Sequence, residues 1–422
     1  MAAALSGCQT DDLTAVSARA LKPLPPELAA EVDKRNMPRE SPILVRIFKE
    51  ESELEVWKQD AQGKYALLKT YPICRWSGEL GPKVKIGDRQ APEGFYSISP
   101  GQMNPNSNYY LAFNLGFPNA FDKANDFTGD FLMVHGDCSS AGCYAMTDEQ
   151  IQEIYALGRD SFLGGQKAFQ VQAYPFRMTG VNLARHRDDP AMPFWRMIKE
   201  GNDIFEVTRS EPRVEVCDKH YVFNPRAPGN NASTPVVFHP REKCPAYEVA
   251  PEIASAVKAK TLADDSVMAD SVHRGVSTVA VRTGADGGMH PLFLAKLQGR
   301  PAVDLTSDVK VPSAPLPTNV NPPKNVDAQP SLFSFWTTAS ATPAPEPVAA
   351  RSETSTMGTI GRWLGLGGGE PAQAAAQPAA APAKPAKPAK PAATTTAKPK
   401  DSNRTDGNRT ETAQAPGSSQ TH

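Results

Sequence analysis

The chain lacks any run of 18 consecutive apolar residues, which excludes a hydrophobic membrane-spanning helix. It also lacks a charge excess. Its formal net charge is −1 over 422 residues, so the bulk balance leaves no footprint for nucleic acid as a partner. Little stands before Ser6-Gly7-Cys8 in this sequence: Met1 to Leu5 hold no basic segment and almost no apolar one. Proline, by contrast, is plentiful and uneven. Of 40 prolines, 17 lie beyond residue 310, a concentration that marks a tail without a core of its own.

The densest chemistry lies in His135-Gly136-Asp137-Cys138-Ser139-Ser140-Ala141-Gly142-Cys143. The preceding run, Phe131-Leu132-Met133-Val134, is apolar and reads as a buried strand. After it, Thr147 and Gln150 have the spacing of a capping box and open a helix over Asp148 to about Leu157, ending at Gly158. A strand thus delivers a histidine, and a tight Gly/Ser loop displays a cysteine before a helix. A free thiol is mostly protonated at neutral pH, and an imidazole within reach can take its proton. The expectation is that His135 lowers the Cys143 thiol pKa toward neutrality.

His-Gly followed by Ser-x-Gly-Cys resembles the signature of YkuD-type L,D-transpeptidases, and most closely the YafK-like subgroup. That subgroup carries a compact His-Gly-Asp…Gly-Cys-(Phe/Tyr)-Ala-Met segment. Lys85 to Tyr96 resembles the family's Gly…(Thr/Ala)-Pro-x-Gly strand-turn-strand. The resemblance covers roughly residues 42 to 175. It implies a YkuD-like β-sandwich and a thioester enzyme acting on peptidoglycan stem peptides, in cell wall biogenesis or remodelling. It makes Cys143 the nucleophile and His135 the base, oriented through a backbone carbonyl. Gly142, Ser140 and Gly136 become loop support, with backbone N–H groups near Cys143 forming the oxyanion hole. No cofactor or metal is called for.

Two departures from the family pattern bear on the reaction. His135 and Cys143 are only eight positions apart, closer than in the usual motif. Ala145 stands where transpeptidases carry an arginine, two residues after the cysteine. With less cover and one cation fewer, the thioester is expected to be more open to water. The alternative to transpeptidation is therefore a murein amidase that releases cross-links or wall-anchored lipoprotein. On this reading, Ala145→Arg shifts the products toward cross-link. A further alternative is a non-catalytic wall-binding lipoprotein.

Other readings of the cysteines stay open. His135, Cys138 and Cys143 offer three soft ligands for zinc, and Cys138–Cys143 can form a disulfide. With Cys143 as nucleophile and Cys8 lipidated, Cys74, Cys138, Cys217 and Cys244 allow three pairings, or remain thiols. Leu5-Ser6-Gly7-Cys8 fits a bacterial lipobox whose signal peptide is truncated. Gln9 is not the Asp that signals inner-membrane retention. The expected location is the periplasm, with an outer-membrane anchor at Cys8 as the only membrane link.

Along the chain, residues 1–41 read as the lipobox-like N-terminus and a lead-in helix, started by Pro25-Pro26 with Leu28 and Val32 on one face. Residues 42–175 form the catalytic domain. Its strand-like runs are 43–48, 53–57, 65–71, 95–98, 131–135 and 169–174. The fold class is mostly β with short helices. Residues 104–127, rich in Asn, Gly and aromatics, read either as a substrate lid presenting Tyr109, Asn114 and Asn119 or as a structured meander with a core of aromatics. Residues 176–250 form an extension with a helix near 193–199 and strands near 204–207 and 220–223. Residues 251–422 read as a low-complexity, largely disordered tail. It has Ala-Lys-Pro repeats, five lysines and no acid over 371–400, and apolar islands at 332–336 and 360–366.

Overall fold

The computed structural model describes residues 17–229, 235–280 and 287–299, and the backbone of 314–315. Cys8, the Ala-Lys-Pro repeats and both apolar islands lie outside the described residues.

Helix α1 (Pro26–Lys34) starts at a proline whose fixed φ suits a first turn, and it buries Leu28 and Val32. Strands β1 (Ile43–Phe48), β2 (Glu53–Gln59) and β3 (Tyr65–Pro72) follow as a meander, then β4 (Arg75–Trp76) and β5 (Gly94–Ile98). Next come β6 (Met103–Asn104), β7 (Ala112–Asn114), α2 (Ala120–Ala124), β8 (Met133–His135) and β9 (Tyr144–Ala145). Helix α3 (Asp148–Leu163) leads to β10 (Phe169–Tyr174), α4 (Gly180–Arg185) and α5 (Met192–Thr208). A hairpin, β11 (Val214–Cys217) and β12 (His220–Phe223), precedes α6 (Pro251–His273), β13 (Gly288–Met289), α7 (Pro291–Leu297) and β14 (Ala314–Pro315).

The strands form a five-stranded sheet, β3-β2-β1-β10-β5, and a seven-stranded sheet, β14-β13-β4-β9-β8-β7-β6. Ile43, Val45 and Ile47 alternate onto one face of β1 and meet Phe113, Val134 and Tyr144 of the other sheet, with Ile151, Ile154 and Tyr155 of α3. The opposite face of the five-stranded sheet is not solvated. Phe48, Phe95 and Tyr174 pack there against Trp195 and Ile198 of α5 and Tyr221 and Phe223 of the hairpin. That double cover explains why β1 and β10, a parallel pair, are buried along their whole length.

Helix α3 opens with the Thr147–Gln150 capping box, but it runs through Gly158 to Leu163. Gly158 is a packing glycine: a Cβ there would come 3.1 Å from the Phe169 ring. The segment 204–207 lies inside α5 rather than in a strand, because Ile198, Ile204 and Phe205 fall on one buried helical stripe. In 104–127 the meander prevails over the lid, since Leu111, Phe113, Leu115, Phe117 and Phe121 are all buried.

The expected boundary at 250 is also corrected. Helix α6 packs on α4 and α5, where Lys199 bonds Asp264 at 2.6 Å and Ile253, Val257 and Met268 join the second core. Farther on, β13 pairs with β4, and Met289 and Phe293 cover Cys74 and Cys138. Alanine-rich composition hid α6, whose buried stripe is narrow. A chain ending at 250 is expected to melt about 5–10 °C below one ending at 299, from roughly 3 kcal/mol of lost burial. Equal melting temperatures would show that these segments add no stability.

Candidate active site

The site is built on β8 and β9, which pair in parallel with His135 opposite Ala145 and Val134 opposite Tyr144. Cys143 lies two residues before Ala145. Cys143 leads into β9, which starts at Tyr144; continuing the two-residue alternation by one position sets it on the side of His135, and its sulfur meets the Met133 N–H of β8 at 3.5 Å. Val134 and Tyr144 project to the other side, into the core.

His135 is 3% exposed. Its Nδ1 lies 2.6 Å from the Gly136 carbonyl. A carbonyl only accepts, so Nδ1 carries the proton and Nε2 is left with the lone pair of a base. The Tyr109 ring leans on the imidazole at 4.7 Å between centroids. Burial pushes the His135 pKa down, against the Gly136 bond and the Asp137 charge, which raise it. Asp137 is not the orienting partner of the imidazole: its carboxylate accepts from Ser139 at 3.4 Å, and the Gly136 carbonyl holds Nδ1.

Cys143 is the one free cysteine among the described residues. Its sulfur accepts from the Met133 N–H at 3.5 Å and donates toward the Phe131 carbonyl at 4.0 Å. Phe131 is not part of a buried strand. It is 70% exposed with φ 52°, and that left-handed turn faces its carbonyl to the thiol. Burial pushes the Cys143 thiol up, opposed by the Met133 N–H and the positive charge of Lys83. Burial, the largest influence on the sulfur, thus acts against the expected lowering of the thiol pKa by His135.

Cys138 is bridged to Cys74, and Cys217 to Cys244. The bridge removes Cys138 both as a zinc ligand and as a partner for Cys143. Ser140 closes the loop. Its hydroxyl donates to the Cys143 carbonyl at 2.7 Å and accepts from the Cys143 N–H at 3.1 Å and the Gly142 N–H at 3.4 Å. Ser77 donates to it at 2.7 Å. The N–H groups expected to form an oxyanion hole are thus engaged by Ser140 at rest. Gly142, at φ 126°, takes a conformation that a side chain would strain. Gly136 leaves no space for one, since a Cβ would come 2.5 Å from the Asp148 carboxylate.

Of the expected substrate residues, only Tyr109 touches His135. Asn114 lies on the same sheet face, opposite Met133, with its side chain accepting from Gly116 at 2.8 Å. Asn119 is elsewhere. It caps α2 and bonds the Phe95 carbonyl and the Tyr221 hydroxyl. Ala145 is wholly buried, with His135 opposite on one side and Arg75 on the other. Ala145→Arg would set two guanidinium groups directly across from each other, so it disrupts the sheet rather than restoring a cation. Sequence reasoning missed Lys83, Ser77 and the Phe131 turn. Lys83 stands just before the Lys85–Tyr96 motif, which was the available signal.

A thiol and a tautomer-fixed imidazole on one face of a β-sandwich define the class of site. No family model matches the chain. Over 182 residues it is 47% identical to the Escherichia coli K12 protein named "Putative L,D-transpeptidase YafK", a match spanning 43% of this chain and 74% of that protein. The same protein from Escherichia coli O157:H7 matches equally. The chain belongs to this YafK family of L,D-transpeptidase-like proteins. Among solved structures, the helical cell shape determining protein Pgp2 of Campylobacter jejuni aligns with 45% of this chain and 80% of its own, at 19% identity and a TM-score of 0.27. Bd1075 of Bdellovibrio bacteriovorus aligns with 43% of this chain and 84% of its own, at 15% identity and a TM-score of 0.25. Scores of this size add no weight to the assignment.

Burial raises the thiol and lowers the imidazole, so both shifts disfavour the thiolate–imidazolium pair. Thiolate is the species that alkylates. Iodoacetamide labelling of Cys143 in the free protein should therefore rise only as pH climbs above the ordinary thiol range, near about 8.5. A fast phase titrating near neutral pH would contradict this direction of shift.

Proposed function

We propose that the protein is a cysteine acyltransferase acting on peptidoglycan stem peptides through a thioester on Cys143. The observation that carries this reading is the shared face of Cys143 and His135, with Nε2 of the imidazole free to accept. His135 takes the thiol proton as the sulfur attacks a peptide carbonyl. It then returns the proton to the leaving amine, so the acyl group stays on sulfur and an amine departs. The 47% identity to a YafK protein supports the family of reaction. Burial disfavours the charged form of both groups, which fits proton transfer that accompanies attack instead of preceding it.

The acceptor defines two outcomes: an amine gives transpeptidation and water gives hydrolysis. Burial of Ala145 favours the hydrolytic branch, because no cation can be presented from that position to hold an acceptor carboxylate. Acceptor placement contributes several kcal/mol to the amine reaction, so its loss outweighs the better nucleophilicity of an amine. Two disulfides among the described residues favour an oxidising compartment. This supports the periplasm; the lipid anchor at Cys8 rests on the Leu5-Ser6-Gly7-Cys8 motif alone.

The test is a purified donor muropeptide, with and without excess diamino-acid acceptor, resolved by mass spectrometry. Wild-type protein should yield mostly free acid, and Cys143→Ala should yield no product while melting at the wild-type temperature. Mostly cross-linked product would reverse the partition. Turnover by Cys143→Ala would require another nucleophile, and no product from the wild type would leave the non-catalytic wall binder.

A further inference from the structure

Phe131 bears two costs at once. Its φ of 52° puts a bulky side chain in the left-handed region, a conformation that costs free energy and gathers at functional sites. Its ring is also left in water, the residue being 70% exposed, and it joins neither large hydrophobic core. One gain is visible: the turn aims the Phe131 carbonyl at the Cys143 sulfur, 4.0 Å away. Glycine or asparagine would aim that carbonyl with less strain. The aromatic ring therefore has no task in the turn itself.

Other apolar side chains are exposed nearby. The Asp88 carboxylate pairs with Lys83 and accepts from the Val84 and Lys85 N–H groups at 3.0 and 2.9 Å. The turn this closes leaves Val84 and Ile86 in solvent. It is tied to the chain three residues before Phe131: Thr128 N–H donates to the Val84 carbonyl at 3.0 Å, and Ile86 N–H donates to the Thr128 hydroxyl at 3.2 Å. Tyr109, also exposed, leans on the His135 imidazole. Apolar exposure thus gathers on the segments that contact the thiol and the imidazole, and on the turn bonded to one of them. Scattered exposed apolar residues need no explanation, but a gathering at a reactive centre marks a binding surface.

The order of groups along β8 determines which part of a substrate meets the ring. The sulfur is held between the Met133 N–H and the Phe131 carbonyl. His135 lies two residues beyond Met133 on the same strand, a step of about 6.6 Å. In the proposed reaction His135 returns its proton to the leaving amine, so that amine lies on the His135 side of the attacked carbonyl. The acyl fragment, which stays on sulfur, then extends the other way, toward Phe131. We propose that Phe131 is a specificity-determining residue, whose ring packs on the aliphatic side chain of the residue whose carbonyl Cys143 attacks. The proposal rests on the reading of Cys143 as nucleophile and names the part of the donor that is recognised. Packing an aliphatic side chain on an exposed ring removes apolar surface of both from water, which repays the exposure that the free protein tolerates.

Two variants separate the ring from the turn. Phe131→Asn tolerates a left-handed backbone, so it keeps the carbonyl in place and removes the ring. Phe131→Tyr keeps the ring. Two synthetic donor stems are compared on the full chain, one with a diamino acid at the attacked carbonyl and one with alanine there. The readout is the ratio of their kcat/KM values. Melting temperature checks the fold, and iodoacetamide labelling of Cys143 across pH checks the sulfur. Wild type and Phe131→Tyr should favour the diamino-acid stem roughly tenfold, the scale of discrimination that buried methylenes give. In Phe131→Asn the ratio should fall to about one, with the labelling profile of the wild type. A structural role alone would slow both stems together and leave the ratio unchanged. That result, a wild type or Phe131→Tyr without the preference, or a Phe131→Asn chain that does not fold would overturn the proposal and leave Cys143 as the nucleophile. Turnover by Cys143→Ala, or none by the wild type on either stem, would overturn both readings.

Discussion

The site depends on one constraint: β8 and β9 are parallel neighbours joined by only eight residues, 136–143. Parallel strands ordinarily need a crossover of a dozen residues or more. Here the chain leaves β8, bonds Cys138 N–H to the Met146 carbonyl at 3.2 Å, and doubles back to Ser140 beside Cys143. Asp137 and Cys138 are both left-handed, with φ 69° and 48°. Such residues cost about 1–3 kcal/mol each and persist only when their surroundings over-determine them. The Cys74–Cys138 bridge, the Asp148 carboxylate on the Asp137 N–H at 3.0 Å and the Ser140 network provide that determination. The result is a thiol and an imidazole set close together with no flexible linker between them.

The 81–93 segment is secured from behind by a fully buried ion pair. Lys49 Nζ bonds Glu93 at 2.9 Å and the Ala91 carbonyl at 3.0 Å. The remaining Glu93 oxygen accepts from the Trp195 indole at 2.8 Å. A buried pair of this kind is weak evidence for net stability, but removing either partner strands a charge. Its structural effect is to join β1, the turn-bearing segment and α5 at one point. The helical extension thereby reaches the site without touching the sulfur, and the turn holding Lys83 has a rigid base.

Much of the site was legible because its chemistry is local. His135, Cys143, Ser140 and the Thr147–Gln150 box fall within sixteen residues, and spacing alone orders them. The strands with regular alternation, 43–48 and 169–174, were legible for the same reason. What escaped is non-local or conformational. No pattern in Phe131 announces a left-handed exposed residue. The Cys74–Cys138 pairing is one of several that composition permits. Asn119 looked like a lid residue because Asn-rich loops bind ligands and also cap helices, and here the capping role prevails. Alanine-rich α6 resembled low-complexity chain until its partners on α4 and α5 were in place.

The most direct test of the central claim is intact-protein mass spectrometry after rapid mixing of the full chain with a donor muropeptide at mildly acidic pH, where thioesters persist. The account predicts a transient adduct with the mass of the acyl fragment, mapped to Cys143, discharged by hydroxylamine and absent in Cys143→Ser. Product formation without any adduct, or an adduct on another residue, would contradict it.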